Sequence, residues 1–347
     1  MRYRLIDLLI CPQCGGQFFV EIEKKHFIHR DYSHSCSYYC GYLQCEIKQP
    51  NLNKFPCLDC HNIEIESGVL ICNNCKSQYK IENCIPILND VKDKEVNSVV
   101  ELWNVEWNNF IYQEKLYGFT AEEEYNDFFT HMKWKNEWLY GRSILEAGAG
   151  FCRISSQIAE KLADEIVCAE PTSILSQVFM KYKNINNIYF VQTPLEILPF
   201  KNNHFDFVFA KGVLYYVKSL ENTLSQMDKK IKNNGMISFT VWKKKDNLFY
   251  RLIKIIRFFS LKINYKIIFY IAPLFSIFYP IVLKLSRIRY RKIDFKERSH
   301  IIFNMLTAPY LNMVTVEYLK SILFKKNYTD LTYSSVPIGI TARKNKE

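Results

Sequence analysis

The stretch Ser143-Ile-Leu-Glu-Ala-Gly-Ala-Gly150 is a short, largely apolar run that ends in two glycines one residue apart. A run of this length closed by glycine predicts a buried strand entering a tight turn. Glycine there lets the backbone approach a ligand closely, and a helix predicted over Arg153 to Leu162 would present free N–H groups at its N-terminus. Outward from this turn the pattern alternates. Glu165 to Glu170, Ile188 to Gln192, Phe205 to Ala210 and Met236 to Trp242 read as strands, while Ser173 to Tyr182 and Leu220 to Ile231 read as helices. Strands alternating with helices predict an α/β, doubly wound, Rossmann-like sheet covered on both faces. The alternation breaks for about 60 residues, then resumes with a helix over Thr315 to Lys325 and strands near Leu331 to Val336 and Ile338 to Ala342.

Glu170 follows Glu146 by 24 residues and ends the second strand, where an acid can accept hydrogen bonds from ribose hydroxyls. With it, the sequence resembles the class I S-adenosylmethionine-dependent methyltransferases over about 200 residues. Ile144-Leu-Glu-Ala-Gly-Ala-Gly150 with Arg153 looks like their first motif, and Ile166-Val-Cys-Ala-Glu170 like the second-strand acid. Gln192 to Phe200, ending Leu198-Pro199-Phe200, looks like the loop against the adenine. Phe205 to Val217 looks like the fourth strand and the loop beside the methyl donor, and Lys232-Asn-Asn-Gly235 stands at the family's usual Lys-Pro-Gly-Gly turn. The resemblance implies a seven-stranded sheet with the last strand antiparallel. It also implies S-adenosylmethionine as cofactor, with Glu146, Gly148, Ala149, Gly150, Arg153, Glu170, Pro171, Leu195, Lys211 and Trp107 as cofactor-binding candidates. Three positions depart from the pattern: Cys152 replaces the third glycine of the first motif, Thr193-Pro194 occupies the place of an acid in the adenine loop, and Tyr216 stands where a His is common.

Twelve cysteines are present, nine of them in the first 75 residues, and eight of those are candidate metal ligands: Cys11, Cys14, Cys36, Cys40, Cys57, Cys60, Cys72 and Cys75. Cys11-Pro-Gln-Cys14, Cys57-Leu-Asp-Cys60 and Cys72-Asn-Asn-Cys75 are three C-x-x-C knuckles. Two such knuckles complete a tetrahedral zinc site, and paired clusters fit zinc better than a disulfide framework. Compact spacing favours Cys57, Cys60, Cys72 and Cys75 around one ion, with Cys11 and Cys14 using two of Cys36, Cys40 and Cys45; His34 could replace one thiolate. The competing arrangement joins Cys11 and Cys14 to Cys72 and Cys75. It has support in a resemblance: Leu8-Leu-Ile-Cys-Pro-Gln-Cys14 and Leu70-Ile-Cys-Asn-Asn-Cys-Lys-Ser-Gln-Tyr79 are similar to the opening and ending of the small zinc-ribbon proteins that activate tRNA methyltransferases. Cys84, Cys152 and Cys168 read as buried thiols.

The formal charge of +11 is concentrated in one segment. Lys243 to Arg298 holds fifteen Lys or Arg against three Asp or Glu, so the remainder is close to neutral. Within it, Arg251, Lys254, Arg257, Lys262 and Lys266 fall on one side of a helix and Leu252, Ile256, Phe259, Ile263 and Ile267 on the other. Ile267 to Leu283 then runs 17 residues without a charge, broken by Pro273 and Pro280, and Lys284 to Lys292 adds a second basic cluster. Three readings stand: an apolar lid whose aliphatic face packs on the core, an interfacial element that seats 248–292 on an anionic membrane, or a transmembrane hairpin, for which the run is short. A nucleic-acid patch is less natural, because bulky aliphatics alternate with the basic residues.

The expected layout is a ribbon over 1–90, an aromatic helical connector over 91–140, a core over 141–245, the basic insert over 246–305, and a closing helix with two strands over 306–347. Met1 to Ile10 is too short and charged for a secretory signal, so a cytoplasmic protein, peripheral on the inner membrane face if the insert seats there, is expected. The layout resembles a group of bacterial methyltransferases, which implies a small-molecule or glycan- or lipid-linked acceptor. RNA methylation with the ribbon docking the substrate, and a non-catalytic scaffold, are the alternatives. Tyr215, Tyr216 and His131 are the catalytic candidates.

Overall fold

A computed structural model describes residues 1–30, 35–47, 57–89, 93–110, 114–244, 248–277, 293–335 and 337–346. His34 and the cluster from Lys284 to Lys292 lie outside these residues.

The amino-terminal module comprises α1 (Arg4–Leu8), β1 (Phe18–Phe27), β2 (Tyr39–Cys40), β3 (Cys45–Glu46), α2 (Cys57–Asn62), β4 (Ile63–Cys72), β5 (Gln78–Glu82) and β6 (Ile85–Pro86). β1, β4, β5 and β6 form an antiparallel sheet in that order, while β2 and β3 pair separately. The β1–β4 register runs from Phe18 opposite Cys72 to Phe27 opposite Ile63. The start of β1 therefore lies beside the end of β4, and that juxtaposition decides the cysteine pairing below.

A connector of α3 (Lys94–Phe110) and α4 (Ala121–His131) leads into the core. Thr120 and Glu123 form a capping box at the start of α4, which satisfies two N–H groups the helix cannot bond internally. The core then alternates as β7 (Ser143–Ala147), α5 (Arg153–Lys161), β8 (Glu165–Glu170), α6 (Leu175–Tyr182), β9 (Ile188–Gln192), β10 (Phe205–Ala210), α7 (Leu220–Lys230) and β11 (Ile231–Lys243). The insert contributes α8 (Leu248–Ser260), α9 (Tyr265–Ser276) and α10 (Phe295–Thr307). The chain closes with β12 (Met313–Val314), α11 (Val316–Lys325), β13 (Tyr328–Ser335) and β14 (Ile338–Lys344).

The large sheet has the order β13-β14-β11-β10-β7-β8-β9, with the short β12 on the end of β11. Only β14 runs antiparallel to its neighbours in this row. The seven expected strands are present, and β12 is an eighth that the sequence reading did not anticipate. Side chains alternate across the sheet with the two-residue period of a strand: Leu145, Val167 and Ala169 enter one core, Ile144, Ile166 and Cys168 the other. The second core is filled by α4, α5 and α6, with Phe128 and Trp134 against Phe207 and Phe209.

The first core is shared with the amino-terminal module. Met1, Leu5, Leu8, Phe18, Leu70 and Tyr79 pack in one cluster with Val191, Leu195, Leu198 and Phe200. Backbone bonds stitch the seam: the Ile10 amide donates to the Pro199 carbonyl at 3.0 Å, Lys201 to Leu8 at 2.9 Å, and Leu88 to Gln192 at 2.8 Å. The ribbon therefore grips the loop after β9 and shares core packing with the sheet. Arg4 anchors the seam electrostatically, donating to both carboxylate oxygens of Glu165 at 2.9 and 3.0 Å and to Asp7.

Candidate active site

The strand order reverses between β7 and β10, and in open α/β sheets ligands bind beyond the carboxyl ends of the strands at such a switch point. β7 ends there in the glycine turn. Gly148 has φ +77° and Gly150 φ +49°, the left-handed region that only glycine enters freely. A Cβ on Gly148 would lie 2.8 Å from Val213 of the loop after β10, so the turn is closed to side chains. Cys152, buried at the start of α5, also sits at φ +52°, which explains why glycine suits that position in the motif it departs from. The amides of Gly148 and Ala149 donate to Ala169 at 2.8 and 3.1 Å and tie the turn to β8.

Two buried acids face the turn. Glu170 accepts from the Gly150 amide at 2.8 Å and from the Thr172 hydroxyl and amide at 2.7 and 3.2 Å, and burial raises its pKa. Glu146 accepts from the Ser155 hydroxyl, and burial drives its carboxyl up to about 8. Pro171 follows Glu170 and its carbonyl accepts from Gln192, while Leu195 is buried in the shared core below. A turn closed to side chains, a carboxylate bound to its amide and half-buried aromatics above it bring polar and aromatic groups together. Such a site fits S-adenosylmethionine, whose ribose needs acceptors and whose adenine needs apolar contact.

Helix α3 lies over this edge. Trp107 reaches to 3.5 Å from where a Cβ of Gly150 would stand and packs edge-on against Phe151. One turn earlier, Trp103 stacks on Trp107 and meets Tyr216 with ring centroids 4.9 Å apart. Asn104 accepts from the Ser173 amide and hydroxyl at 2.9 and 3.0 Å, pinning the helix to the turn after β8. The i, i+3, i+4 spacing of Trp103, Trp107 and the residues between was the available signal, and the sequence reading took only Trp107 from it.

Several predicted site residues serve elsewhere. Arg153 donates to Glu124 and to the backbone carbonyls of Glu114 and Phe119, so it holds the connector onto the core. Lys211 is bonded to the same Glu124. Glu124, missed in the sequence, is the hub, its carboxyl held below the usual range because the two cations outweigh burial. His131 bonds Ser334 of β13 at 2.8 Å, at the outer strand of the sheet. Tyr215 and Tyr216 do lie in the loop after β10, their ring centroids 4.5 Å apart, and Tyr216 is buried under Trp103.

The cysteines correct the compact pairing. Cys11, Cys14, Cys72 and Cys75 bring their sulfurs within 4.8 Å of one another, with Cys11 to Cys75 at 3.6 Å and Cys14 to Cys72 at 3.4 Å. A tetrahedron of Zn–S bonds about 2.3 Å long has edges of about 3.8 Å, so these four thiols fit zinc. The reason is register. The first knuckle precedes β1 and the third follows β4, and the strands are antiparallel. Cys57 and Cys60 sit at the other end of β4, ten residues or about 30 Å away along the strand. Among the described residues Cys36, Cys40, Cys57 and Cys60 do not close into a second four-ligand cluster. Cys84, Cys152 and Cys168 are buried, as expected.

The insert also departs from the sequence reading. Arg257, placed on the solvent side, is buried and donates to the carbonyls of Met305 and Ala308, and Ser260 donates to Leu306. The last carbonyls of α10 lack intrahelical donors, and Arg257 and Ser260 of α8 turn inward to supply them. Ile256, Phe259, Ile263 and Ile267, expected to pack on the core, are exposed. Among the described residues more than half of the exposed large apolar side chains lie between Ile255 and Ile277, Phe258 and Phe259 at 60% and Tyr270 at 79%. No described helix is long and apolar enough to cross a membrane, so the hairpin reading finds no support there.

Comparison with known proteins matches residues 145–239 to a methyltransferase-domain family and residues 2–83 to a Trm112p-like family. A tRNA U34 carboxymethyltransferase from Psychrobacter arcticus is 24% identical over 135 residues, 33% of this chain and 39% of that protein. The chain thus spans about two fifths of the length of this curated relative. Among solved structures, a CurJ carbon methyltransferase covers 74% of the chain, with 62% of its own length, at 14% identity and a TM-score of 0.43. A Burkholderia thailandensis 1,6-didemethyltoxoflavin-N1-methyltransferase covers 81%, with 100% of its own length, at 11% identity and a TM-score of 0.41. With the sheet order, the glycine turn and the four-cysteine cluster, the two family matches give this chain a methyltransferase domain over 145–239 and a Trm112p-like module over 2–83.

Proposed function

We propose that the protein transfers a methyl group from S-adenosylmethionine to a hydroxyl-bearing acceptor presented at an anionic membrane surface, a glycan or similar head group on a lipid. The observation that carries this reading is the outward face of α8 and α9. Ile255, Ile256, Phe258, Phe259, Ile263 and Ile267 are exposed beside the exposed Arg251, Lys254, Lys262 and Lys266. Apolar side chains entering the acyl boundary with cations at the phosphates is the pattern of an interfacial helix. Helix α9 also packs beside the loop after β10, since its Ile268 and Ala272 share one cluster with Phe303 of α10, Tyr216 and Leu102.

In this reading Glu170 receives the ribose hydroxyls, and Glu146 and the amides of Gly148 to Gly150 line the cofactor's polar end. Pro171 borders the adenine, with Leu195 supporting that loop from the core below, and Trp107 excludes water from above. The cofactor supplies a methyl on a positively charged sulfur, and the protein's task is to align an acceptor atom in line with it and keep water out. A second reading, methylation of RNA, is favoured by the Trm112p-like module and by the similarity to a tRNA-modifying enzyme.

Sedimentation with liposomes tests the proposal. Four exposed cations near an anionic surface contribute about 4 kcal/mol, roughly a thousandfold in partitioning at low salt. Most of the protein should pellet with phosphatidylglycerol liposomes at low salt, little with neutral liposomes, and less at high salt. Phe258→Asp with Phe259→Asp should abolish pelleting. A protein that ignores anionic liposomes at low salt but binds bulk tRNA and labels it from methyl-tritiated cofactor would replace this reading with the second.

A further inference from the structure

Beside Tyr215 and Tyr216 lies a set of groups that the cofactor site does not use. Glu106, one residue before Trp107, is fully buried. Its Oε1 accepts from the Asn304 side-chain amide at 2.8 Å and from the Tyr117 hydroxyl at 3.1 Å. Its Oε2 is buried and meets no hydrogen-bond donor among the described residues, and neither does the Asn304 Oδ1. Two buried acceptor oxygens without donors are costly unless a ligand supplies the donors. Trp107 covers Gly150 on the β7 side and Trp103 covers Tyr216 on the β10 side, and Glu106 sits between them on the same helix.

We propose that Glu106, Asn304 and Tyr117 form the acceptor subsite, in which Glu106 Oε2 takes the proton of the acceptor hydroxyl while Asn304 Oδ1 receives a neighbouring hydroxyl. The ligand class follows from the unmet need: a group carrying two adjacent O–H donors, as a sugar ring does. In the step the acceptor oxygen attacks the methyl carbon, the O–CH₃ bond forms and the S–CH₃ bond breaks. The sulfur keeps the bonding pair and becomes a neutral thioether. The hydroxyl proton passes to the Glu106 carboxylate, so a cation and an anion become two neutral groups. Burial pushes the Glu106 carboxyl up to about 8, against the hydrogen bonds from Asn304 and Tyr117, which places it near the range a general base needs. Asn304 of α10 bonds it, the titratable groups beside it are Tyr117 from the turn after α3 and Tyr216 from the loop after β10, and Arg257 of α8 lies in turn beside Tyr216.

The inference rests on the proposed hydroxyl acceptor but not on the membrane. Transfer of tritium from methyl-labelled cofactor to methyl β-glucoside and to octyl β-glucoside is measured for the full chain, with cofactor affinity followed by calorimetry. The wild type should label a glucoside, with a rate that rises as pH increases through about 8 and then levels, because the carboxylate is the active form. Glu106→Gln, which can still bond Tyr117 and Asn304, should keep cofactor affinity within about twofold while losing transfer about a hundredfold or more, and its remaining rate should lose that pH dependence. Asn304→Ala should raise KM for the glucoside more than it lowers kcat. Labelling of methyl β-glucoside by a protein that ignores liposomes would support the subsite and remove the membrane reading. A Glu106→Gln protein with the wild-type rate and pH profile, one that loses cofactor binding as well, or a wild type that labels neither glucoside would overturn the assignment.

Discussion

Cys72→Ser is expected to release zinc and unfold the amino-terminal module, carrying one face of the core with it. Cys72 is fully buried at the end of β4, and its sulfur closes the cluster with Cys11, Cys14 and Cys75. A structural zinc site contributes about 10–16 kcal/mol to the fold it closes, more than a small antiparallel sheet can replace. The loss should propagate, because Phe18, Leu70 and Tyr79 of the module share a core with Val191, Leu195 and Phe200. Metal analysis and circular dichroism check this. The variant should hold at least one zinc fewer than the wild type and lose cooperative melting, and chelation of the wild type should reproduce the effect. Cys57→Ser should leave the Cys11–Cys75 ion in place. Loss of one and the same ion in Cys57→Ser and Cys72→Ser, with its retention in Cys11→Ser, would restore the pairing that the register excludes.

Arg4→Met should destabilise the whole chain by about 3–5 kcal/mol, because it removes one partner of a buried charge network. Arg4 and Glu165 are each about 1% exposed and Asp7 is fully buried. Burial opposes the Arg4 charge, but Glu165 and Asp7 outweigh it and hold the guanidinium ionised. Glu165 also accepts from Ser143 and meets His204, and Asp7 accepts three amides between Ser37 and Tyr39, so neither carboxylate can turn to water. Thermal unfolding should fall by roughly 10 °C. A melting temperature within about 2 °C of the wild type would show that the ribbon and core do not depend on this contact.

What was legible in the sequence was what local pattern encodes. The run from Ser143 to Gly150 and the alternation beyond it foretold the sheet, because a strand's period and a glycine turn are properties of a few neighbouring residues. Glu170 could be placed for the same reason, as the last residue of a predicted strand. The cysteine pairing was not legible from spacing. It depends on Phe18 standing opposite Cys72, a register set by residues more than fifty apart. The face of α8 was misjudged because helical periodicity cannot show that Arg257 meets the open carbonyls at the end of α10. Arg153 looked like a motif residue, yet its partners Glu124 and Phe119 come from the connector. Glu106 offered no signal at all, since an acid inside a Trp-rich helix is usually solvated.

The account rests on the cofactor site at the carboxyl ends of β7 and β8. Titration calorimetry of the full chain with S-adenosylmethionine, for the wild type and Glu170→Ala, tests it most directly. One site per chain is predicted, with affinity falling by about 1.5–3 kcal/mol in the variant, roughly ten- to a hundredfold, as a charge-assisted ribose acceptor is lost. A wild type that binds no cofactor, or a Glu170→Ala variant with undiminished affinity, would contradict it.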